Sequence, residues 1–374
     1  MGGIYIHYPF CIQKCEYCDF YSEGIGKGTS SLDRDLFSAY RKELRQRKGT
    51  KNLSIDSIFI GGGTPSKANS DLWGELLQFV RGEFNVTQDC EVTLEMNPED
   101  LGTENLELLS KLGVNRLSVG VQSTKSSALE FLGRYYDEEK YQNILEILQR
   151  SPIKNQSIDL MYGIPSLSLE DFWTDLEKFA SSNLNHMSVY ALTLEKGTSY
   201  SRKVSSNQKP APKEEEQLEV LKKLPSVLTK HGFVWYEVSN YSRNQISRHN
   251  MKYWTFAPYL GIGPGAHSFW EGERLAAPRS TNAYLRNPGL GKKDSISPFL
   301  EICLGLFRLL LPFEPLGFFC AYTIPEDFVL SVFERWASKG LCHWDGQTFQ
   351  WKETAILILD DLILELASQE KALP

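Results

Sequence analysis

Residues 7–20 read HYPFCIQKCEYCDF, and their three cysteines, Cys11, Cys15 and Cys18, follow directly on a short β-rich run, Gly3–Tyr8. The spacing C-x3-C-x2-C is one thiolate short of the four that usually hold an iron–sulfur cluster. Three thiolates can hold three irons of a [4Fe–4S] cube and leave the fourth open to an outside ligand. A cluster that only carried electrons would normally be closed, so the open position points to chemistry. Zinc stands as an alternative on this spacing, because His7 could complete a Cys3His tetrahedron, although it reads as part of the strand while the cysteines lie on the loop beyond. Tyr17 and Phe20 put aromatic surface around the loop, where it would slow solvent and oxygen.

Outward from this loop the chain alternates β-rich runs with helical patterns. Further candidate strands are Ile55–Ile60, Glu91–Met96, Arg116–Val121, Ser157–Tyr162, Met187–Leu192 and Phe233–Val238, with helices over Leu32–Lys48, Asp71–Arg81, Glu138–Gln149 and Lys213–Lys230. Such alternation means βα units around a parallel sheet. Pattern alone admits an open doubly wound sheet and a barrel. The unusual residues separate the two. The cysteines follow the first strand, Gly61–Gly63 follow the second, Glu95 closes the third, Gln122 ends the fourth and Asp159 lies on the fifth. Chemistry at the C-terminal ends of many successive strands belongs to a β/α barrel, whereas a doubly wound sheet gathers it at one switch point. The expected fold class is α/β, a partial (β/α) barrel with six or seven visible strands.

Asn287–Pro298, NPGLGKKDSISP, combines Gly, Pro and charge as a linker does. It divides a barrel over residues 1–286 from a small unit over 299–374. There the pattern becomes helix, helix, hairpin, helix, with Ile324–Ser338 helical, Leu341–Trp351 two strands around Asp345-Gly346, and Lys352–Ala367 the last helix. The outline is winged-helix-like. From Phe299 onward, however, 5 basic residues stand against 11 acidic ones, a net of −6, so a packing or lid module is expected and not a phosphate binder. The polar, Pro-rich Ser201–Pro212 reads as a hinge or excursion.

Composition is that of an ordinary globular protein, with 41% hydrophobic and 23% charged residues. A net charge of −7, from 40 basic and 47 acidic side chains, argues against nucleic-acid binding. No stretch approaches the roughly 18 uninterrupted apolar residues of a membrane span. MGGIYIHYPF has neither the charged nor the long apolar region of a secretory signal, so a cytoplasmic location is expected. Cys90, Cys303, Cys320 and Cys342 lie singly and read as small buried hydrophobes. The glycine run in GGGTPS, Gly61–Ser66, would let backbone N–H groups approach a carboxylate or phosphate. It lacks both the P-loop lysine and the G-x-G-x-x-G pattern, so neither a nucleoside triphosphate nor NAD is indicated.

In order and spacing, Y-x-H-x-P-F-C-x3-C-x-Y-C-D-F, GGGTPS, LEMNPED, RLSVGVQS, LGR and IDLMYG resemble the radical SAM enzymes of the oxygen-independent coproporphyrinogen oxidase group, over essentially the whole chain. The resemblance implies the barrel of radical SAM type, a [4Fe–4S] cluster on Cys11, Cys15 and Cys18, and S-adenosylmethionine (SAM) chelating the open iron. It implies that Tyr5 and Tyr17 line the SAM pocket and that Gly62, Gly63 and Thr64 meet its methionine end. Glu95 would accept hydrogen bonds from the ribose or amino group. Gln122, Arg134 and Asp159 would supply the remaining polar contacts, Arg134 being suited to a carboxylate.

The group has two branches. Its oxidases carry a further cysteine two residues after the third ligand, where this chain has Phe20, and an extension before the first strand. The segment SRHNMKYWTFAPYLGIGPGAHSF contains H-N-x-x-Y-W at His249, Asn250, Tyr253 and Trp254, which resembles the signature of the HemW-type haem chaperones. An imidazole for an axial position and large aromatic rings for porphyrin faces suit haem. His267 would line the pocket, with Gly261–Gly265 a turn bringing it near SAM. The expected function is haem binding and delivery to acceptor proteins, with an electron donor for the cluster. The alternative is oxidative decarboxylation of coproporphyrinogen III without oxygen.

Overall fold

The computed structural model describes residues 1–25, 32–47, 53–134, 136–289, 291–293, 298–321 and 325–368. Its first strand, β1 (Gly2–Tyr8), alternates Ile4, Ile6 and Tyr8 with Gly3, Tyr5 and His7. The same two-residue period runs through β2 (Ser54–Gly62), β3 (Asn85–Met96), β4 (Arg116–Gln122), β5 (Asn155–Tyr162) and β6 (His186–Ala191). One face carries Ile58, Ile60, Leu94, Val119, Leu160 and Val189, each at most 2% exposed and packed in one core with the helices. Because successive side chains point to opposite faces, the other parity, Ser57, Glu95, Arg116, Ser118, Asp159 and Ser188, is turned into the lumen.

The intervening helices are α1 (Asp33–Gln46), α2 (Ser70–Glu83), α3 (Thr103–Lys111), α4 (Ser126–Phe131), α5 (Glu138–Arg150) and α6 (Leu169–Ala180). Polar caps start some of them: Asn69 Oδ1 accepts from Asp71 N at 2.9 Å for α2, and Ser168 Oγ from Asp171 N at 3.1 Å for α6. From β1 to β6 each strand pairs in parallel with its predecessor, without reversal of order. That is the winding of a barrel.

After α7 (Ser199–Ser205) and α8 (Glu214–Lys230), the hairpin β7 (Val234–Glu237) and β8 (Asn240–Ser242) extends the sheet beyond β6. Beyond α9 (Arg248–Trp254), β9 (Tyr259–Ile262) returns to pair in parallel with the free side of β1. Antiparallel β10 (His267–Trp270), β11 (Glu273–Ala276) and β12 (Lys292–Lys293) follow, with α10 (Thr281–Arg286) between the last two. The sheet has 12 strands, and its edges, β7 and β12, do not meet among the described residues. The barrel is partial; β7 falls within the strand expected over Phe233–Val238, and the further strands β8–β12, only two to four residues long, are ones the pattern does not display. The turn expected over Gly261–Gly265 is half strand. Gly261 and Ile262 lie in β9, where a Cβ on Gly261 would strike the His267 backbone, and the reversal falls at Gly263 and Gly265. Likewise the first half of the Ser201–Pro212 excursion continues α7.

A second core begins at α11 (Pro298–Leu306) and includes α12 (Leu316–Ala321), α13 (Glu326–Ser338), the hairpin β13 (Cys342–Trp344) and β14 (Phe349–Trp351), and α14 (Leu359–Ser368). Phe307 is its hub: the rings of Phe313, Phe333, Trp336, Phe349 and Trp351 lie 5.5–6.2 Å from it. This unit covers the sheet's edge strand, with Val238 N donating to Arg308 O at 3.1 Å and Leu310 N to Tyr236 O at 3.0 Å. The 287–298 stretch lies partly outside the described residues, and Lys292–Lys293 within it forms β12. The helix start expected at Ile324 also lies outside them. Glu353–Ile358 is a 3₁₀ turn ahead of α14, so the last helix is shorter than its apolar pattern. Cys90, Cys303 and Cys342 are buried, and the Cys320 side chain is outside the described set. Among the described residues, no helix is long and apolar enough to cross a membrane.

Candidate functional site

Phe10–Cys11 pairs with Glu23–Gly24, closing the loop that carries the cysteines. Within it Cys18 N donates to Cys15 O at 3.3 Å, and Glu16 N reaches Leu132 O at 3.0 Å. Lys203 and Lys209 grip the Glu16 carboxylate at 2.6 and 2.8 Å. The segment expected as a hinge therefore clamps the cysteine loop, which its two lysines could have signalled. The three thiols lie close enough that Cys18 feels both others; burial first, then Cys15, pushes it up to about 12. Burial also raises Cys11 and Cys15, opposed by Thr64 and Ser22 beside the first and Arg134 beside the second. Three thiolates in such surroundings need a compensating cation, so the donor set fits a thiolate-held cluster.

His7 is not a fourth ligand. Tyr5 donates to its Nδ1 at 2.9 Å, and its Nε2 donates to the Tyr21 carbonyl at 2.7 Å. Nor do three His, Cys, Asp or Glu side chains among the described residues converge as a lone metal ion requires. With both ring nitrogens of His7 taken by Tyr5 and Tyr21, the Cys3His zinc alternative is not supported.

At the end of β2 the N–H of Gly62 donates to Glu95 Oε2 at 3.0 Å, that of Gly63 to Tyr8 O at 2.6 Å, and that of Thr64 to Phe10 O at 2.8 Å. These bonds staple the strand end to the cysteine loop. The expectation that the run offers its N–H groups to a carboxylate or phosphate is corrected: all three are spent internally, which leaves carbonyl oxygens to meet a ligand.

A cavity of about 650 Å³ occupies the lumen, and one stretch of its wall is polar and holds Tyr5, Gly62, Glu95 and Asp159. Burial first, then the neighbouring Asp159, raises the Glu95 carboxyl to about 7, against the pull of the Gly62 N–H. Asp159, raised by burial, accepts from Ser118 Oγ at 3.3 Å. Between them lies Arg116, 2% exposed, whose Nη1 reaches Thr93 Oγ1 only at 3.5 Å. Sequence reasoning missed this cavity residue; the signal was its parity with Ser118 on a buried strand. Tyr17, Thr64 and Arg134 stand behind the wall, next to the cysteines. Arg134 engages Asn97 Oδ1 at 2.7 Å, Tyr141 Oη at 3.2 Å and the Gly120 carbonyl, so most of its fork is committed to protein. Gln122 sits at a β-bulge with φ +67, a left-handed backbone that re-aims its side chain.

The same cavity has an aromatic stretch of wall formed by Tyr253, Trp254, Phe256, Tyr259 and Phe269, with His267 nearby. Phe20 also borders it but is 66% exposed, so the shielding expected of this ring is slight. Ser247 Oγ accepts from Asn250 N at 3.4 Å to start α9, which sets Asn250, Tyr253 and Trp254 on the wall. His249 points elsewhere. It is fully buried at the foot of β1, its Nδ1 2.9 Å from Ser57 Oγ and its backbone N donating to Glu91 Oε1 at 3.2 Å. The rings of Tyr5, Phe59, Tyr253 and Tyr259 roof it at 5.3–6.4 Å. Its Nε2 has no partner among the described residues. Burial, then Lys252 and Arg116, lowers its pKa to about 3, which leaves the neutral imidazole that metals bind. It lies one aromatic layer beneath the cavity.

A partial barrel wound in chain order, with a three-cysteine loop after its first strand and a polar lumen, defines a radical SAM protein. The radical SAM superfamily profile matches residues 5–179. The solved structure of coproporphyrinogen III oxidase (HemN) from Escherichia coli, a radical SAM enzyme, superposes with a TM-score of 0.80 over 98% of this chain and 89% of that one, at 19% identity, a likeness of fold. Mouse radical S-adenosyl methionine domain-containing protein 1, mitochondrial, is 37% identical over 71% of this chain; the match spans 60% of the mouse protein. Heme chaperone HemW of E. coli K12 is 30% identical over 96% of this chain and 97% of its own length, and that of Buchnera aphidicola (Schizaphis graminum) 32% over 90% and 91%. The chain belongs to the HemW family of radical SAM proteins.

Proposed function

We propose that the chain is a haem chaperone that binds a [4Fe–4S] cluster, SAM and haem and hands the haem to acceptor proteins in the cytoplasm, with an electron donor as a further partner. The observation that carries this reading is that one cavity is lined both by the lumen carboxylates Glu95 and Asp159 and by an aromatic group that includes Tyr253, Trp254, Tyr259 and Phe269. Cys11, Cys15 and Cys18 would hold the cluster. Tyr5, Gly62, Glu95 and Asp159 would hold SAM, with Tyr17, Gly63, Thr64, Gln122 and Arg134 completing its pocket; Gly63, Thr64 and Arg134 also tie the loop and strand ends together. When bound, the cluster and SAM supply one-electron cleavage of the sulfonium. Asn250, Tyr253 and Trp254 would flank the porphyrin. His249 would reach its iron once the roof of Tyr253 and Tyr259 swings aside, and its unpartnered Nε2 supports that role.

The test has two arms. Anaerobically reconstituted protein, given reductant, SAM and coproporphyrinogen, is expected to form no vinyl product by chromatography; substantial turnover would overturn the chaperone reading in favour of the oxidase. Haem titrated into the wild type is expected to bind and to pass to an apo-haemoprotein, and a wild type that binds none refutes the proposal. Unchanged binding in His249→Ala would remove that residue from the ligand set. Cys11→Ser should lose iron yet keep haem.

A further inference from the structure

The aromatic part of the cavity has a wall that does not come from the barrel. Glu301, Leu304, Gly305 and Arg308, all from the C-terminal unit, line it opposite α9 and β10. Arg308 directly follows Phe307, the hub of the second core; its carbonyl accepts from Val238 N, and two residues on Leu310 N donates to Tyr236 O, so the segment it sits on is fixed against β7. Its guanidinium is thereby set over Trp254, 4.8 Å from the ring.

The hydrogen bonding here is incomplete in a specific way. Arg308 Nη2 reaches Glu237 Oε2 only at 3.5 Å, and its Nε has no partner among the described residues. Trp254 Nε1, in the ring beneath it, has none either. The other arginines near this end hold their acceptors more closely through the terminal nitrogens: Arg274 Nη1 reaches Glu301 at 2.7 Å, and Arg279 Nη2 the backbone carbonyl of Asp19. Glu237 is itself fully buried, and its Oε1 is occupied by the Asn240 amide and by Ser239 N at 3.2 Å. Arg308 Nε and Trp254 Nε1 thus stand as two buried N–H groups without partners among the described residues at one aromatic wall, the first belonging to a charged planar fork matched to a carboxylate. Buried donors left unpaired are costly, and an acceptor that enters with a ligand would remove that cost.

We propose that Arg308 and Trp254 form a carboxylate seat for a propionate of the tetrapyrrole, which makes the C-terminal unit part of the haem site and not a packing module alone. The inference rests on the haem-binding reading above and adds to it the group that orients the macrocycle. The propionate accepts from the free N–H groups of the Arg308 fork and of Trp254 while Nη2 stays on Glu237, and the ring lies along Trp254 and Phe269.

The test compares haem with haem dimethyl ester, which has the same ring and iron but no carboxylate charge. Wild type is expected to bind haem about ten-fold or more tightly than the ester, the worth of one charge-assisted pair. Arg308→Gln should reduce that preference to near unity and leave ester affinity and cluster iron unchanged. Arg308→Lys should restore part of the preference, since it keeps the charge but not the fork. Glu237→Gln, which removes the neighbouring negative charge, should tighten haem and not the ester. Equal losses for haem and ester in Arg308→Gln would mean a structural role and overturn the proposal, as would an unchanged haem/ester ratio. A loss of SAM affinity with the ratio intact would assign the seat to the SAM carboxylate and also overturn it. A wild type that binds neither porphyrin would instead defeat the haem reading beneath it.

Discussion

Gly62→Ala adds one methyl group where β2 meets the cysteine loop. The residue has φ +109, in the left-handed region, where an L side chain costs roughly 1–2 kcal/mol. The new Cβ would lie 2.6 Å from Cε1 and Nδ1 of His7. That imidazole cannot retreat cheaply, because one nitrogen holds the Tyr5 hydroxyl, the other holds the Tyr21 carbonyl, and the ring stacks on Tyr21 at 6.2 Å. Losing both bonds adds about 1 kcal/mol each, for a total of about 3–4 kcal/mol. The damage falls where Tyr21 ends the loop, so iron retention after reconstitution should drop along with stability in urea. Gly82→Ala is the matched control: it lies in α2 with nothing within 4 Å of the added carbon, and should gain up to about 1 kcal/mol. A cost below about 1 kcal/mol for Gly62→Ala, with full iron content, would refute the reasoning that His7 and this glycine together pin the loop.

Glu95 predicts a pH dependence. Its folded-state value of about 7 lies above the ordinary 4.5, so the folded chain holds this proton more tightly than the unfolded one. That stability is complete below pH 4.5 and lost as pH rises through 7, an effect of about 3 kcal/mol. Urea unfolding of wild type and Glu95→Gln at pH 5 and 7.5 checks it, and parallel pH slopes would exclude the buried carboxyl. Glu16→Gln releases both lysines from the cysteine loop and should cost about 1 kcal/mol; the reading fails if iron loss to a chelator is no faster than in wild type. Phe307→Ala should cost about 3–5 kcal/mol, with faster hydrogen exchange in α13 and little change in β1. Equal acceleration of both would contradict two separate cores.

What was legible in the sequence was carried by periodicity and by clustered special residues. The parallel strands of the barrel alternate Ile, Leu and Val with polar residues over six or more positions, long enough for a period of two to stand out. The cysteine loop announces itself by spacing. Strands β9–β12 escaped because they are too short for any period, and β9 is additionally masked by glycines that serve close approach and not a turn. The lysines of the 201–212 stretch, Arg116 and Arg308 escaped for another reason. Each acts on a partner more than 20 positions away, such as Lys203 on Glu16 or Arg308 on Trp254, and no local pattern encodes such a pairing.

The lumen itself is an argument about purpose. Barrel interiors are ordinarily filled by layers of branched apolar side chains, but this one holds Arg116, Glu95 and Asp159 in a space where burial raises both carboxyls. Charges buried this way do not stabilise a fold; replacing them by packed hydrocarbon is often neutral or better. Their presence on the wall of one cavity is what the proposed ligand-binding role would require. The same reasoning reaches His249. An unpartnered imidazole nitrogen beneath four aromatic rings costs about 1–3 kcal/mol, and Ser57 alone would be satisfied by many residues that leave no orphan. On the proposed reading, with Nδ1–H donating to Ser57 Oγ, iron arriving with the porphyrin would accept the Nε2 lone pair that no described residue engages.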